Sequence, residues 1–100
     1  MVVTVFRSRL KSEALEEYGQ WANRIGEIAK TMPGYISHKG FTAPDGERVT
    51  IVEFESEEDV RAWASYPDHV LAKKKGRGSF YTEYRIQICK VIKQSAFNSA

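Results

Sequence analysis

Residues 35–55 read YISHKGFTAPDGERVTIVEFE and have the pattern of a β-hairpin. Residues 35–43 and 48–55 are rich in β-branched and aromatic side chains, which favour strands. The Pro-Asp-Gly segment at residues 44–46 suits a sharp reversal between them, because proline fixes φ and glycine accepts a positive φ. The stretch therefore predicts two adjacent antiparallel strands in the middle of the chain.

A helix is predicted on each side of this hairpin. Before it, apolar side chains recur at three- and four-residue steps, as on one face of a helix. These residues are Leu15, Tyr18, Ala22, Ile25, Ile28 and Met32. Ser12 is expected to cap this helix, and Pro33-Gly34 to end it. After the hairpin, Ser56 and Asp59 have the spacing of a capping box for the second helix. Its buried side is predicted to be Val60, Trp63 and Ala64.

The second helix is expected to break at residues 65–68 and to restart. Pro67 fits a first helical turn, and Ser65 with Asp68 has capping spacing. The three lysines at 73–75 and Gly76 are predicted to end the restarted helix, because cations and a glycine favour a helix C-terminus. A loop is expected from Gly76 to Ser79.

Strands are also predicted at both ends of the chain, at residues 2–9 and 80–93. The resulting order βαββαβ indicates an α+β fold of the ferredoxin-like kind, a four-stranded antiparallel sheet with two helices on one face. Residues 1–100 are expected to form one domain, with a core at about 2–93 and a frayed C-terminal tail at 94–100.

The predicted strands are apolar on both faces, which indicates a homodimer. In the third strand, Val49 and Ile51 point to one side, and Val52 and Phe54 point to the other. Since the helices cover one face only, a second copy of the chain packed on the other face would bury it. The length of the last strand favours the same conclusion. The alternative is a monomer with a few exposed apolar side chains.

Composition limits the classes of partner. The net charge is +2 over 100 residues, which gives no indication of nucleic acid or a membrane. Cys89 is the only cysteine, so no intrachain disulfide or cysteine-based zinc site can form, and its apolar strand favours an inert thiol. The N-terminal MVVTVFRSRL is apolar over too few residues for a signal peptide or a membrane span. We therefore expect a cytoplasmic protein.

His69 is the best candidate for acid–base chemistry, because its unperturbed pKa is near neutrality. It follows Trp63 and Tyr66, and a base beside aromatic walls suits removal of a proton from a phenol or an anthrone. Trp63 could stack on a planar substrate. The alternatives are a surface histidine near a helix N-terminus and a tryptophan that anchors the core. Five further aromatic residues could build the same cleft: Tyr18, Trp21, Tyr66, Phe80 and Tyr81.

Other features favour structural interpretations. Small residues form a stripe along the first helix, which favours close packing over room for a ligand. They are Gly19, Ala22, Gly26 and Ala29. The basic block at residues 73–77 is more typical of a solvated helix end than of a phosphate or nucleic-acid site. His38, His69 and Glu53 form only a remote possibility of an iron site, so no metal is expected.

Five segments together resemble the antibiotic biosynthesis monooxygenase family, over about residues 2–93. They are MPGYISHKGF at 32–41, DGERVTIVEFES at 45–56, Trp63, YPDHVLAKKKGR at 66–77 and FYTEYRIQIC at 80–89. The resemblance implies a dimeric α+β barrel. It also implies one of the family's activities, which include oxygenases that form quinones without metal or flavin, and haem-degrading enzymes.

The resemblance bears on particular residues. Trp63 matches the family's second-helix tryptophan, nine residues after Phe54. The quinone-forming branch has an asparagine four residues before this tryptophan and a tyrosine six residues after it, where this chain has Asp59 and His69. The haem-degrading branch has an asparagine and an iron-binding histidine where this chain has Ser8 and Lys73. Haem degradation is therefore the less expected activity.

We expect a cofactor-independent monooxygenase that oxidises a small aromatic or phenolic substrate, such as a quinol or anthrone, with O2. Trp63 and His69 are the expected catalytic residues. The expected substrate-binding residues are Tyr18, Trp21, Asp59, Tyr66, Phe80 and Tyr81. The alternative is a non-catalytic module for small ligands or stress responses, which the changed residues at 59 and 69 favour. A protein that interacts through its basic patch is a further alternative.

Overall fold

The computed structural model describes residues 1–99, which fold into a four-stranded antiparallel sheet with helices on one face. The elements are β1 (Val2–Leu10), α1 (Leu15–Ala29), β2 (Tyr35–Thr42), β3 (Arg48–Phe54), α2 (Glu57–Ala64), α3 (Pro67–Lys75) and β4 (Tyr81–Lys90). The strand order is β2-β3-β1-β4. This confirms the predicted βαββαβ fold, with the second helix divided into α2 and α3. Residue 100 of the predicted tail lies outside the described residues.

The strand register confirms which side chains share a face of the sheet. Val2 lies opposite Phe54, and Val5 lies opposite Ile51. The face of Val2 and Phe54 packs against α1 and α2 and is called the helix-covered face below. The other face carries Val3, Val5, Val49 and Ile51, all half-buried, and is called the open face. No helix of residues 1–99 contributes to a core on that side.

The hydrophobic core joins the helices to one end of the sheet. Its buried members are Val2, Ala29, Phe54, Val60 and Trp63. Ile25, Ile28 and Met32 of the predicted helix face pack against this cluster. Leu15 does not, since 59% of it is exposed, so its assignment to the buried face was wrong.

The two predicted serine caps differ in outcome. Ser56 caps α2 as predicted, because its Oγ accepts a hydrogen bond of 3.1 Å from the Asp59 N–H and donates one of 2.8 Å to the Asp59 carboxylate. Ser12 does not cap α1. It begins a short 3₁₀ turn at Ser12–Ala14, and α1 starts without a side-chain cap. The 3₁₀ turn displaces Ser12 from the position where its hydroxyl could reach the first free amides.

This difference predicts unequal effects of removing the two hydroxyls. Ser56→Ala is expected to lower the free energy of unfolding by about 1 kcal/mol, the usual effect of a lost N-cap. Ser12→Ala, the matched control, is expected to change it by less than about 0.5 kcal/mol. Urea denaturation followed by circular dichroism measures both. Equal losses would contradict the assignment of the cap to Ser56 alone.

The helical segment after α2 also departs from expectation. Pro67 occupies the first turn of α3 as predicted, but Ser65 does not cap it, since its hydroxyl donates to the carbonyls of Arg61 and Ala62. α3 ends at Lys75 with Gly76 as its C-cap residue, as predicted, but the loop expected from Gly76 to Ser79 was wrong. Gly76 has a φ of −59°, and the helix continues as a π-helical turn at Gly76–Phe80.

Close packing explains why Gly76 is a glycine. A Cβ at this position would lie 2.6 Å from Cε2 of Tyr81, so any side chain would collide with that ring.

The last strand is also shorter than predicted and ends at Lys90 instead of Lys93. From Val91 to Ser99 the chain has no regular secondary structure. Within residues 1–99, no helix is long and apolar enough to cross a membrane.

Candidate functional site

A cavity of about 730 Å³ separates α1 and α3 from the helix-covered face of the sheet. Cavities of this size hold small-molecule ligands in many proteins. Its walls come from all four strands on the sheet side and from α1, α2, α3 and the π-helical turn on the other. The core cluster fills the space between sheet and helices at one end, and the cavity occupies the remainder.

Trp63 and His69 form a stacked pair in the wall of the cavity. Their ring centroids are 4.2 Å apart, and the ring planes differ by 14°. Trp63 is fixed by its place in the core on α2, whereas His69 lies in the first turns of α3. The break between the two helices at Ser65 and Tyr66 brings the two rings face to face.

One hydrogen bond fixes the tautomer of His69. Its Nδ1 lies 3.1 Å from the carbonyl oxygen of Trp63. Because a carbonyl can only accept, Nδ1 carries the ring proton in the neutral form, and Nε2 keeps a lone pair. Nε2 is therefore the nitrogen that can take a proton from a ligand.

Burial lowers the pKa of His69 below its ordinary value of 6.5. The hydrogen bond to the Trp63 carbonyl opposes this effect, and the positive charge of Lys73 adds to it. Burial disfavours the charged ring because the imidazolium loses hydration. His69 is therefore neutral at pH 7, which is the state that a general base requires.

Aromatic rings line the half of the cavity away from the core. The Tyr18 ring meets Phe80 and Tyr81 edge to face, with centroid distances of 5.8 and 6.0 Å. Tyr81 also meets Phe6 at 5.4 Å. Burial raises the pKa of Tyr81 well above its ordinary value of 10.0, so its hydroxyl stays protonated. The wall thus presents apolar ring faces and edges to any planar ligand.

The structure brings six of the eight predicted site residues together. Those that line the cavity are Tyr18, Trp21, Trp63, His69, Phe80 and Tyr81. Asp59 and Tyr66 do not line it. Asp59 is engaged in the capping box of α2, and Tyr66 packs against Trp63 with a centroid distance of 6.2 Å while remaining 38% exposed. Their placement argues against a role in binding a ligand in this cavity.

His38 is a cavity residue that sequence reasoning did not select. Its Nδ1 is 2.7 Å from the Tyr35 hydroxyl, and its ring lies against Gly26 of α1. The period of two in β2 places His38 on the same side as Gly40, which also lines the cavity. That alternation is the signal that could have identified it. A proton donated by Tyr35 to Nδ1 would leave the ring proton on Nε2, so His38 is less suited than His69 to act as a base.

The small-residue stripe of α1 serves two purposes. Ala29 is buried in the core, as close packing predicts. Ala22 and Gly26 line the cavity instead, where they leave room. A Cβ on Gly26 would lie 2.9 Å from Nε2 of His38, so this glycine admits the imidazole. Close packing, the favoured interpretation, therefore describes Ala29, and room for a ligand, the alternative, describes Ala22 and Gly26.

The basic block at residues 73–77 does not form a single patch. Lys73 lines the cavity and donates a hydrogen bond of 2.7 Å to the Ala64 carbonyl. Lys75 pairs with Glu17 of α1 at 2.7 Å, and Arg77 lines the cavity. Only part of the block is a solvated helix end, because α3 turns one of its sides toward the cavity.

The histidines and Glu53 do not converge. Glu53 lies on the open face, opposite Val3, and accepts a hydrogen bond from Ser37. His38 and His69 line the cavity on the helix-covered face. Among residues 1–99, no three histidine, cysteine or acidic side chains are grouped as metal ligands would be.

Comparisons with known proteins place these observations in a family. The family model described as antibiotic biosynthesis monooxygenase matches residues 1–75. The uncharacterized protein YqjZ of Bacillus subtilis (strain 168) is 31% identical over 93 residues, which are 93% of this chain and 82% of that protein.

Solved structures share the fold at low sequence identity. Rv0793 from Mycobacterium tuberculosis has a TM-score of 0.85 and 11% identity, with 95% of this chain and 98% of that chain covered. SnoaB, a cofactor-independent oxygenase from Streptomyces nogalater, has a TM-score of 0.79 and 16% identity, with 93% of this chain and 94% of that chain covered. At such identities the likeness concerns the fold alone.

Proposed function

The chain belongs to the antibiotic biosynthesis monooxygenase family, and from that premise we propose that it is a cofactor-independent oxygenase. Its substrate is a small planar phenolic molecule of the quinol or anthrone type. Trp63 stacks beside the substrate, and His69 removes a proton from it. The substrate-contacting rings are those of Tyr18, Trp21, Phe80 and Tyr81.

The stacked Trp63–His69 pair is the observation that carries this proposal. Nδ1 of His69 is held by a backbone carbonyl, the ring is neutral at pH 7, and Nε2 is left to accept a proton. The pair stands in the wall of an aromatic cavity large enough for a small polycyclic ligand. A positioned base of this kind accelerates proton transfer by about 10²–10⁴-fold.

The chemistry balances without a further reductant when the substrate is an anthrone. His69 takes a proton from the substrate, which becomes an electron-rich anion and transfers electrons to O2. One oxygen atom ends in the new carbonyl group. The other leaves as water with the two hydrogens lost from the substrate methylene. The substrate itself supplies all the electrons that the reduction of O2 consumes.

Oxygen uptake by the purified protein tests the proposal directly. After metal chelation, the protein would be mixed with a small panel of anthrones, quinols and catechols in an oxygen electrode. Uptake above the uncatalysed rate is expected for at least one class, and Trp63→Phe is expected to reduce it. Ligand binding measured by calorimetry without oxygen uptake would contradict the proposal.

A second candidate function is a binding module that uses the same cavity without chemistry. Asp59 favours it, because this residue, at the place of the quinone-forming branch's asparagine, is hydrogen-bonded to the N-cap Ser56 and does not reach the cavity. Binding of a panel member with no oxygen uptake in the experiment above would establish this alternative.

We propose further that the protein is a homodimer formed through the open face. Val3, Val5, Val49 and Ile51 form an apolar centre there, and an Arg7–Glu47 ion pair with N–O distances of 2.9 and 3.1 Å lies on the same face. A second copy would bury this apolar surface, and the hydrophobic effect makes such burial favourable. β4 is shorter than predicted, so its length no longer favours a dimer. The apolar open face is the feature that supports one.

A charge in the open face is expected to separate the dimer. Ile51→Arg should reduce the mass measured by light scattering from twice 11.4 kDa to 11.4 kDa, because an unpaired guanidinium would be buried between the two sheets. Leu71→Arg is the matched control, since Leu71 is 57% exposed on α3 and faces away from the open face. A wild-type mass of 11.4 kDa would overturn the proposal.

A further inference from the structure

We propose that Arg48 binds a carboxylate group of the aromatic ligand, at the end of the cavity away from Trp63 and His69. The inference rests on the proposed function for the planar aromatic part of the ligand. It adds that the ligand is an aromatic acid and that its permanent charge is held apart from the atom that reacts.

The guanidinium of Arg48 makes few hydrogen bonds, although the residue is half-buried. Its carbon lies 5.7 Å from the centre of the Tyr18 ring, and Nη1 lies 3.4 Å from the Thr42 hydroxyl. Its Nε is buried, and no hydrogen-bond partner for it exists among residues 1–99. A buried donor that lacks a partner is energetically unfavourable, and an acceptor that reached it would remove that cost.

Several other arginines of the protein are paired with carboxylates. Arg7, Arg9 and Arg61 each have a carboxylate oxygen within 3.2 Å. Within the described part of the chain, Arg48 has no such ion pair, although it faces a cavity and is half-buried. A guanidinium so placed retains its planar set of donors for a bidentate acceptor such as a carboxylate.

The charges around the cavity all have one sign. Arg48, Lys73 and Arg77 line it, and no aspartate or glutamate does. Lys39 also borders it, but its ammonium lies over the Phe41 ring, at 5.6 Å. A low-dielectric cavity walled by cations attracts an anion more strongly than an exposed surface does.

The geometry of β3 separates the anchoring residue from the base. Arg48 precedes Val52 by four residues, and Val52 packs against the core cluster that contains Trp63. At ~3.3 Å per residue, this spacing corresponds to about 13 Å along the strand. A ligand of two or three fused rings could then reach from the guanidinium toward the Trp63–His69 pair.

Gly40 supplies the room that the guanidinium occupies. It lies on β2, two strand positions from Thr42, and a Cβ there would lie 2.6 Å from Nη2 of Arg48. The contacted atom is the end of a flexible side chain. Gly40→Ala should therefore displace the guanidinium and leave the sheet intact, which gives a second way to disturb the anchor.

A matched pair of probes tests the inference by binding alone. The probes are anthraquinone-2-carboxylate and anthraquinone-2-carboxamide, which have the same rings and differ in charge. Calorimetry with the full chain is expected to show about 10- to 100-fold tighter binding of the carboxylate, the range for a hydrogen bond to a charged group. Arg48→Met should remove this preference and leave the affinity for the amide nearly unchanged. Gly40→Ala should reduce the preference.

Arg77→Met is the matched control, because it removes another cation of the cavity wall and should keep most of the preference. Equal binding of the two probes by the wild-type protein, or binding of neither, would overturn the inference. So would a preference that survives Arg48→Met. Because both probes are already oxidised, their binding does not depend on turnover. A carboxylate preference without any oxygen uptake would support the anchor and refute the oxygenase.

Discussion

Replacing Gly34 with alanine is expected to lower the free energy of unfolding by about 2–5 kcal/mol, from left-handed strain and overpacking together. Gly34 has a φ of +78° in the turn between α1 and β2. A Cβ at this position would overlap the Asp59 carboxylate and lie 2.9 Å from the Asp59 Cβ. The carboxylate would have to leave its hydrogen bond to Ser56, so that one methyl group would strain the turn and disturb the start of α2.

Gly46→Ala provides the matched control. Gly46 also has a positive φ, +92°, but a Cβ there would meet no atom within 4 Å. We expect it to lose only the backbone component, about 1–2 kcal/mol. Chemical denaturation would be measured for both variants and for the double variant Gly34→Ala/Asp59→Ala. Comparing the three separates the cost of left-handed backbone strain from the cost of the collision with Asp59. If both single variants lose equal stability, the contact between Gly34 and Asp59 is not tight.

Replacing His69 with alanine is expected to lower the rate of oxygen uptake by about 10²–10⁴-fold, the contribution of a general base. The matched control is His38→Gln, which alters the other cavity histidine and should change the rate by less than about 10-fold on the same scale. Should His38→Gln abolish uptake and His69→Ala preserve it, the base would be His38. Steady-state rates on one responsive substrate, with circular dichroism as a folding control, decide between them.

The lowered pKa of His69 also predicts the pH dependence. The base must be neutral, so the rate should hold as pH falls to 6.5 and decline only below it, as the folded protein's His69 takes up a proton. The same shift acts on stability. Because the unfolded chain binds this proton more tightly, the contribution of His69 is fully present above about pH 6.5 and is lost as pH falls through its folded pKa. Replacing His69 should remove this acid-dependent loss.

Local patterns were enough to predict most of the fold. The Pro-Asp-Gly turn, the helix periodicity before residue 33 and the capping box at Ser56 each depend on neighbours within a few residues. The same reasoning was wrong at Ser12, where a 3₁₀ turn precedes α1, and at residues 76–79, where a π-helical turn replaces the expected loop. At Gly76 the tertiary contact with the ring of Tyr81 leaves no room for a Cβ.

The site could be predicted only in part for a related reason. Trp63 and His69 lie close in sequence, and their aromatic surroundings are visible in the residue order. Asp59 was expected in the site and lies outside the cavity, whereas His38 lines the cavity and was not selected from the sequence. Which residues line the cavity depends on which side chains the packed helices leave uncovered. Arg48 gave no signal in the sequence, since its lack of an ion pair depends on where the folded chain positions every carboxylate.

The sequence by itself determined the order of strands and helices, the two faces of the sheet and the family. The elements and the faces follow from periods of two and 3.6 residues and from turn chemistry, which act over short distances along the chain. The family follows from the resemblance of the five segments quoted above. The tertiary structure alone decided where the cavity lies, which histidines border it, and which of its cations lack an ion pair. Those properties depend on contacts between residues far apart in the sequence, and local patterns carry no record of such contacts.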